Sequence, residues 1–155
     1  MVSDAKFEMV SRHRWTARKD GNTWYAVSRI NGKLVRLHRF VLGLENDERM
    51  LDHIDGDGLN CTEENLRFCN RSQNGANSAS RRGTSRFKGV SYEKRNRRKW
   101  VAYVCPLGKK KHLGCFDTEE EAAKAYDREA LKIFGQFARL NFPQNRMGTV
   151  SGPHS

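Results

Sequence analysis

The sequence predicts an α+β protein in two parts. The first part is built from β-hairpin strands and short helices. The second is a three-stranded antiparallel sheet packed on one helix. Three observations carry this. Residues 23–30 (TWYAVSRI) alternate and run into Asn31-Gly32, a strong two-residue hairpin signal. Residues 86–92, 99–104 and 111–116 are three short runs of strand character. A Thr118-x-x-Glu121 capping pattern then opens a run that places Ala122, Tyr126, Ala130, Ile133 and Phe134 on one helical face.

The elements follow in order. Residues 8–15 (EMVSRHRW) read as a strand, as do residues 23–30, and Lys33–His38 completes the hairpin. Residues 38–43 read as a short helix ending at Gly43. Residues 70–79 can form another short helix, carrying Asn74. Residues 79–86 (ASRRGTSR) are small, basic and glycine-containing, which suits a connection. The expected organisation is a first domain over 1–80, a linker over 81–85, a second domain over 86–143 and a disordered tail over 144–155. In the middle strand of the second part, Lys99, Val101 and Tyr103 share one face. Trp100, Ala102 and Val104 share the other, which is apolar and suits packing under the helix. Gly135 ends that helix.

Composition narrows the function. The 155 residues hold 29 Lys and Arg against 18 Asp and Glu, a net charge of +11. No run of 18 apolar residues is present, so no membrane span is expected. The segment MVSDAKFEMV lacks the apolar stretch of a secretory signal. Cys61, Cys69, Cys105 and Cys115 form no C-x-x-C pair, which argues against a zinc ribbon and for reduced thiols. The charge is uneven: residues 1–44 carry net +6, residues 45–80 net −5 and residues 81–155 net +10. Basic flanks suit a polyanion such as nucleic acid. An acidic middle repels that partner unless it holds a cation.

The acidic middle is rich in chemistry. It reads Asp52-His53-Ile54-Asp55-Gly56-Asp57-Gly58-Leu59-Asn60, then Asn65-Leu66-Arg67, then Asn70-Arg71-Ser72-Gln73-Asn74-Gly75-Ala76-Asn77. Phosphodiester hydrolysis needs a base for water, and a neutral histidine suits that role near pH 7. It also needs a counter-charge for the leaving oxygen, which a divalent ion supplies. Asp and Asn oxygens are hard ligands that match Mg²⁺ or Mn²⁺. An EF-hand starting at Asp55 is excluded, because Leu59 and Leu66 fall on ligand positions. On a strand, Asp52 and His53 point to opposite faces, so a separate element must cross to meet them.

His38-Arg39, Asp52-His53-Ile-Asp-Gly-Asp, Asn60, Asn65-Leu-Arg67 and Asn74 together resemble the HNH endonuclease family, in its phage and homing-type branch. The likeness covers about residues 8–78. It implies a ββα-metal core with one divalent cation, Mg²⁺ or Mn²⁺. It implies that His53 is the general base, that Asp52 and Asn74 hold the metal, and that Asn65 orients His53. Arg71, one turn before Asn74, is placed to grip a phosphate, with a plain surface arginine as the alternative. Asn70 and Asn77 are alternatives to Asn74 as ligand. Asp55, Asp57 and Asn60 are read as loop-shaping residues.

The second part holds ten Lys or Arg in residues 86–111, against Glu93 as the one acid, with Tyr92, Trp100 and Tyr103 interleaved. That is an electrostatic footprint for a nucleic-acid backbone. Phe87-Lys-Gly-Val90, Trp100-x-Ala102, Leu113-Gly114-x-Phe116, Glu120-Glu-Ala-Ala123, Ala125-Tyr-Asp127 and Leu140-Asn-Phe-Pro143 resemble an AP2 DNA-binding domain. The resemblance implies a sheet set in the major groove. Ser91, Glu93, Tyr103, Cys105 and His112 stand where plant members carry base-reading Arg and Trp, so the plant target does not transfer. The expected DNA contacts are Arg86, Lys88, Arg95, Arg97, Arg98, Lys99, Lys110, Lys111 and His112, mostly to phosphate.

The reading is a metal-dependent DNA endonuclease, nicking or cutting both strands, whose second part positions it on double-stranded DNA. The alternative is a DNA-binding regulator with an inactive nuclease half. The expected setting is a phage or mobile genetic element acting in the bacterial cytoplasm. Neither a membrane nor an obligate protein partner is implied, and monomer and dimer both fit.

Overall fold

A computed structural model describes residues 1–21, 23–79 and 83–143. The expected tail and residues 81–82 of the expected linker lie outside the described residues. The chain divides into two compact units, Met1–Ala79 and Ser80–Ser155. Both are α+β, with small antiparallel sheets and few helices. Among the described residues no helix is long and apolar enough to cross a membrane.

The first unit opens with a helix, α1 (Asp4–Ser11), where a strand over residues 8–15 was expected. Asp4 lies in its first turn, favourable beside the N-terminal helix dipole. Ala5, Lys6, Glu8 and Met9 are good helix formers, and Arg12 pairs with Glu8 at 2.7 Å across one turn. Val10 enters a core with Leu37, Val41 and Cys61, so the helix is held by tertiary packing. Strands β1 (Thr16–Asp20), β2 (Thr23–Ile30) and β3 (Lys33–Arg36) follow as an antiparallel sheet in that order. Asn31 and Gly32, at φ 48° and 77°, make the expected turn, with both central residues left-handed. The hairpin arm stops at Arg36, and α2 (Leu37–Val41) takes His38 out of the strand. A two-stranded ribbon, β4 (Leu51–His53) and β5 (Leu66–Phe68), comes next, then α3 (Arg71–Asn77).

The second unit is the antiparallel sheet β6 (Val90–Tyr92), β7 (Trp100–Val104) and β8 (Lys111–Phe116), with α4 (Glu119–Phe134) packed on it. The capping box at Thr118 and Glu121 forms in both directions. Ala102 is fully buried against Ala122, Ala123 and Ala125, and Trp100 packs at the edge of that cluster. Small helix residues let α4 lie close on the sheet. Val101, on the opposite face, is also buried at 6% exposure. Register shifts between Ala102 and Tyr103: Ala102 pairs with Gly114 and Tyr103 with His112, so Leu113 bulges. Asn141 links the segment after α4 to the segment before β6, binding both backbone groups of Lys88 and the Asp127 carboxylate of α4.

Candidate active site

The β4–β5 ribbon pairs Asp52 with Arg67 and His53 with Leu66. Strand alternation therefore sends Asp52 and Arg67 to one face and His53 to the other. On the first face, Arg67 donates to Asp52 Oδ2 from Nη2 at 2.8 Å and from Nε at 3.0 Å. Asn77, from α3, donates Nδ2 to both Asp52 oxygens at 3.1 Å and to the His53 carbonyl at 2.7 Å. This one amide ties the helix to the ribbon. Asp52, Asn77 and His53 are all buried. The start of α3 is set by a capping box that the sequence reading did not single out. Asn70 Oδ1 accepts from the Gln73 N–H at 2.9 Å, and Gln73 Oε1 accepts from the Asn70 N–H at 2.8 Å.

Asn77, then, is the asparagine that meets Asp52. Asn74, the expected ligand, is exposed one turn earlier, and Arg71 is exposed one turn before that. The spacing i, i+3, i+6 places the three on a slanting stripe of α3. The buried end of the stripe holds Asp52 and the exposed end faces solvent.

On the other face, His53 enters a box of rings. Its ring centroid lies 5.0 Å from that of His38 at 82° and 5.8 Å from that of Tyr25 at 52°. His38 and Tyr25 are 5.6 Å apart. The Nε2 atom of His53 lies 4.0 Å from Sγ of the fully buried Cys61. Burial, the largest influence, pulls the His53 pKa below its ordinary value, against the opposing pull of Asp55, Asp52 and Asp57. The ring is therefore neutral near pH 7. Burial, with His53 second, takes His38 down to about 3, so it too is uncharged. Burial pushes the Cys61 thiol up to about 11, so it is no thiolate nucleophile.

Asn65 acts on the loop after His53. Its Oδ1 accepts from the Asp55 N–H at 3.1 Å, and its Nδ2 donates to Asp55 Oδ1 at 3.0 Å and to the Asn60 carbonyl at 2.8 Å. Its backbone carbonyl accepts from Ile54 at 2.9 Å. The described bonds of the Asn65 side chain go to this loop, while the neighbour of His53 Nε2 is Cys61. The loop is closed further by Asn60 on Asp55 Oδ2 at 2.7 Å and by the Asp57 N–H on Asp55 Oδ1 at 2.8 Å. Asp55, Asp57 and Asn60 thus do the turn work expected of such residues. Gly58 lets the loop touch β2, since a Cβ there would lie 2.4 Å from the Trp24 carbonyl and 2.8 Å from the Tyr25 ring.

Two residues of the site, His38 and Arg67, were quoted in the sequence motif without a role. His38 stands alone on a short helix, and nothing local shows that its ring reaches residue 53. The pairing of Arg67 becomes legible only from the strand register.

In the second unit the expected DNA contacts differ in the partners they hold. Arg86 pairs with Glu120 at 2.8 Å, Lys111 with Glu129 at 2.6 Å and Arg98 with Asp117 at 3.3 Å. Lys111 lies opposite the buried Val104 in the ladder and reaches α4, on the helix side of the sheet. Arg95, Arg97, Lys110 and His112 are exposed. The Lys110 ammonium lies 3.9 Å over the Tyr103 ring, and His112 Nε2 is 3.8 Å from Cys115 Sγ. Lys99 donates to the Lys94 carbonyl at 2.7 Å. Lys88 is half-buried, and burial, then Arg139, lowers its pKa to about 8.

The ribbon thus carries a hydrogen-bonded carboxylate on one face and a neutral histidine on the other, and docks to a short helix. No protein-family model matches the chain. An uncharacterized HNH endonuclease of Acanthamoeba polyphaga mimivirus is 36% identical over 145 residues, covering 90% of this chain and 73% of that protein. An AP2-like ethylene-responsive transcription factor of Arabidopsis thaliana is 43% identical over 67 residues, 41% of this chain and 14% of that factor. APETALA2-like protein 2 of Oryza sativa subsp. japonica is 42% identical over 59 residues, 38% of this chain and 13% of that protein. The chain belongs to the HNH endonuclease family, and part of it is similar to AP2-type factors.

Proposed function

We propose that this protein is a divalent-metal-dependent DNA endonuclease whose second unit holds it on double-stranded DNA. The observation that carries the reading is the ribbon and helix of the first unit. In one small element, β4, β5 and α3 combine the Asp52 carboxylate, a neutral His53 and the stripe Arg71–Asn74–Asn77. We read this element as the ββα-metal core.

Among the described residues, no three His, Cys, Asp or Glu side chains gather as a metal-binding group. The donor set we propose is the Asp52 carboxylate with the amide oxygen of Asn74, which lies one turn before the Asn77 that meets Asp52. It fits a hard ion that keeps several waters, as Mg²⁺ does. Asp52 Oδ2 is taken by Arg67, while Oδ1 accepts one 3.1 Å bond from Asn77 and keeps lone-pair room for a cation. When bound, the ion supplies positive charge to the departing 3′-oxygen. His53 takes the proton from the attacking water. Asn65 holds the loop that carries His53, and Arg71 grips a phosphate oxygen.

The test is supercoiled plasmid incubated with the purified chain in Mg²⁺ or Mn²⁺, beside an EDTA control. Nicked or linear product that vanishes in EDTA is expected. The relatives named transcription factors favour a second reading, a DNA-binding regulator with an inactive nuclease half. Tight DNA binding without product, on plasmid and on DNA of the native host, would select it.

The exposed basic group of the second unit makes a separate prediction. Each phosphate contact contributes about 0.9 to the slope of log affinity against log salt. Replacing Arg95, Arg97 and Lys110 together by Ala is expected to flatten that slope by about 2 to 3. Lys111→Ala, whose ammonium faces Glu129, is expected to leave it nearly unchanged. Equal slopes for the triple variant and the parent chain would remove this face from the DNA interface.

A further inference from the structure

We propose that His38 is a positioning residue for His53: its ring, mounted on α2, closes with Tyr25 a three-ring box that fixes the angle of the His53 imidazole. The proposal rests on the reading of His53 as the general base, and it adds a residue that this reading does not use. His38 follows Leu37 and precedes Val41 on a helix whose Leu37 and Val41 are both in the core. Its backbone is thus anchored on both sides. The ring is 4% exposed, so it is not placed to touch DNA.

The geometry is that of edge-to-face packing. Centroids 5.0 Å apart at 82° for His38 and His53 lie within the preferred range for aromatic pairs. The 68° angle between Tyr25 and His38 continues the arrangement around the box. Each wall belongs to a different element: Tyr25 to β2, His38 to α2 and Cys61 to the loop after Gly58. Gly58 presses that loop onto Tyr25, with no room for a Cβ. A ring held from three sides loses the rotamer freedom that a surface histidine keeps. Water attack demands that one imidazole nitrogen be aimed within a few tenths of an ångström, and small misplacements cost rate steeply. Tyr25 also carries the Arg36 guanidinium 4.8 Å over its ring, and Arg36 is itself paired with Asp20 at 2.7 Å, so the box is backed from outside.

The experiment compares His38→Leu with His38→Phe in the full-length chain. Leu fills much of the space without a ring, whereas Phe restores the ring without any imidazole chemistry. His38→Leu is expected to lower kcat about tenfold with KM within about twofold, and His38→Phe is expected to recover most of that loss. The His53 Cε1–H resonance is read in the same proteins. It should shift and broaden in His38→Leu and return toward its parent position in His38→Phe. Equal rates and an unmoved His53 resonance in both variants would overturn the proposal. A Phe variant as slow as Leu would also overturn it, since the imidazole itself would then be needed. Should His53→Ala cleave at the parent rate, the general-base reading fails by itself. The resonance still decides whether His38 holds that ring.

Discussion

His53→Ala is expected to reduce plasmid cleavage by about a thousandfold, within the range that general-base removal usually costs. DNA affinity should stay within about twofold, because a side chain 6% exposed offers little surface to a phosphate. Removing a buried ring also opens a cavity between His38, Tyr25 and Cys61. His53→Gln therefore belongs beside it, since it keeps most of the volume and cannot serve as the base. Loss of cleavage in both variants, with DNA binding retained, supports the assignment. Cleavage at the parent rate in His53→Gln would move the base to another group.

Arg67→Met is expected to destabilise the first unit by about 3 kcal/mol. The pair is buried on both sides, with 12% of the Arg67 side chain and 7% of the Asp52 side chain exposed. Removing the guanidinium leaves the carboxylate with the Asn77 amide alone among these described donors. A buried charge that loses its partner costs far more than an exposed pair contributes. Hydrogen exchange across residues 48–70 reports the opening energy of the ribbon directly. Adding Asp52→Asn to Arg67→Met should recover part of the loss, because the unpaired charge goes with it. If the ribbon opens no more readily in Arg67→Met, the ion pair is not what holds β4, β5 and α3 together.

Much of the second unit was legible beforehand. Its second and third strands and α4 lie where alternation and helical spacing put them, the first strand is confined to Val90–Tyr92 of the expected 86–92, and the capping box closes at Thr118 and Glu121. These signals are local, so residues within one or two turns carry them. The hairpin at Asn31-Gly32 is legible for the same reason. The first unit was harder. Residues 8–15 alternate enough to pass for a strand, yet α1 forms because Val10 finds Leu37, Val41 and Cys61 from distant parts of the chain. The second face of β7 was harder too, since Val101 is buried although alternation puts it away from the helix.

The residue types that the chemistry needs are plain in the chain as written: an Asp-His pair, a following Asn-Leu-Arg, and an asparagine-rich segment opening with Arg71. The concentration of basic charge in residues 86–111 is equally plain there. Tertiary structure decided how those residues meet. Asn77 docks on Asp52 from 25 positions away, while Asn74 stays at the exposed end of its stripe. Arg67 neutralises Asp52 because strand register sets the two opposite each other. His38 reaches His53 because α2 packs into the core and brings its ring alongside. Local propensity reads neighbours a few residues apart, whereas these contacts depend on which apolar surfaces bury one another.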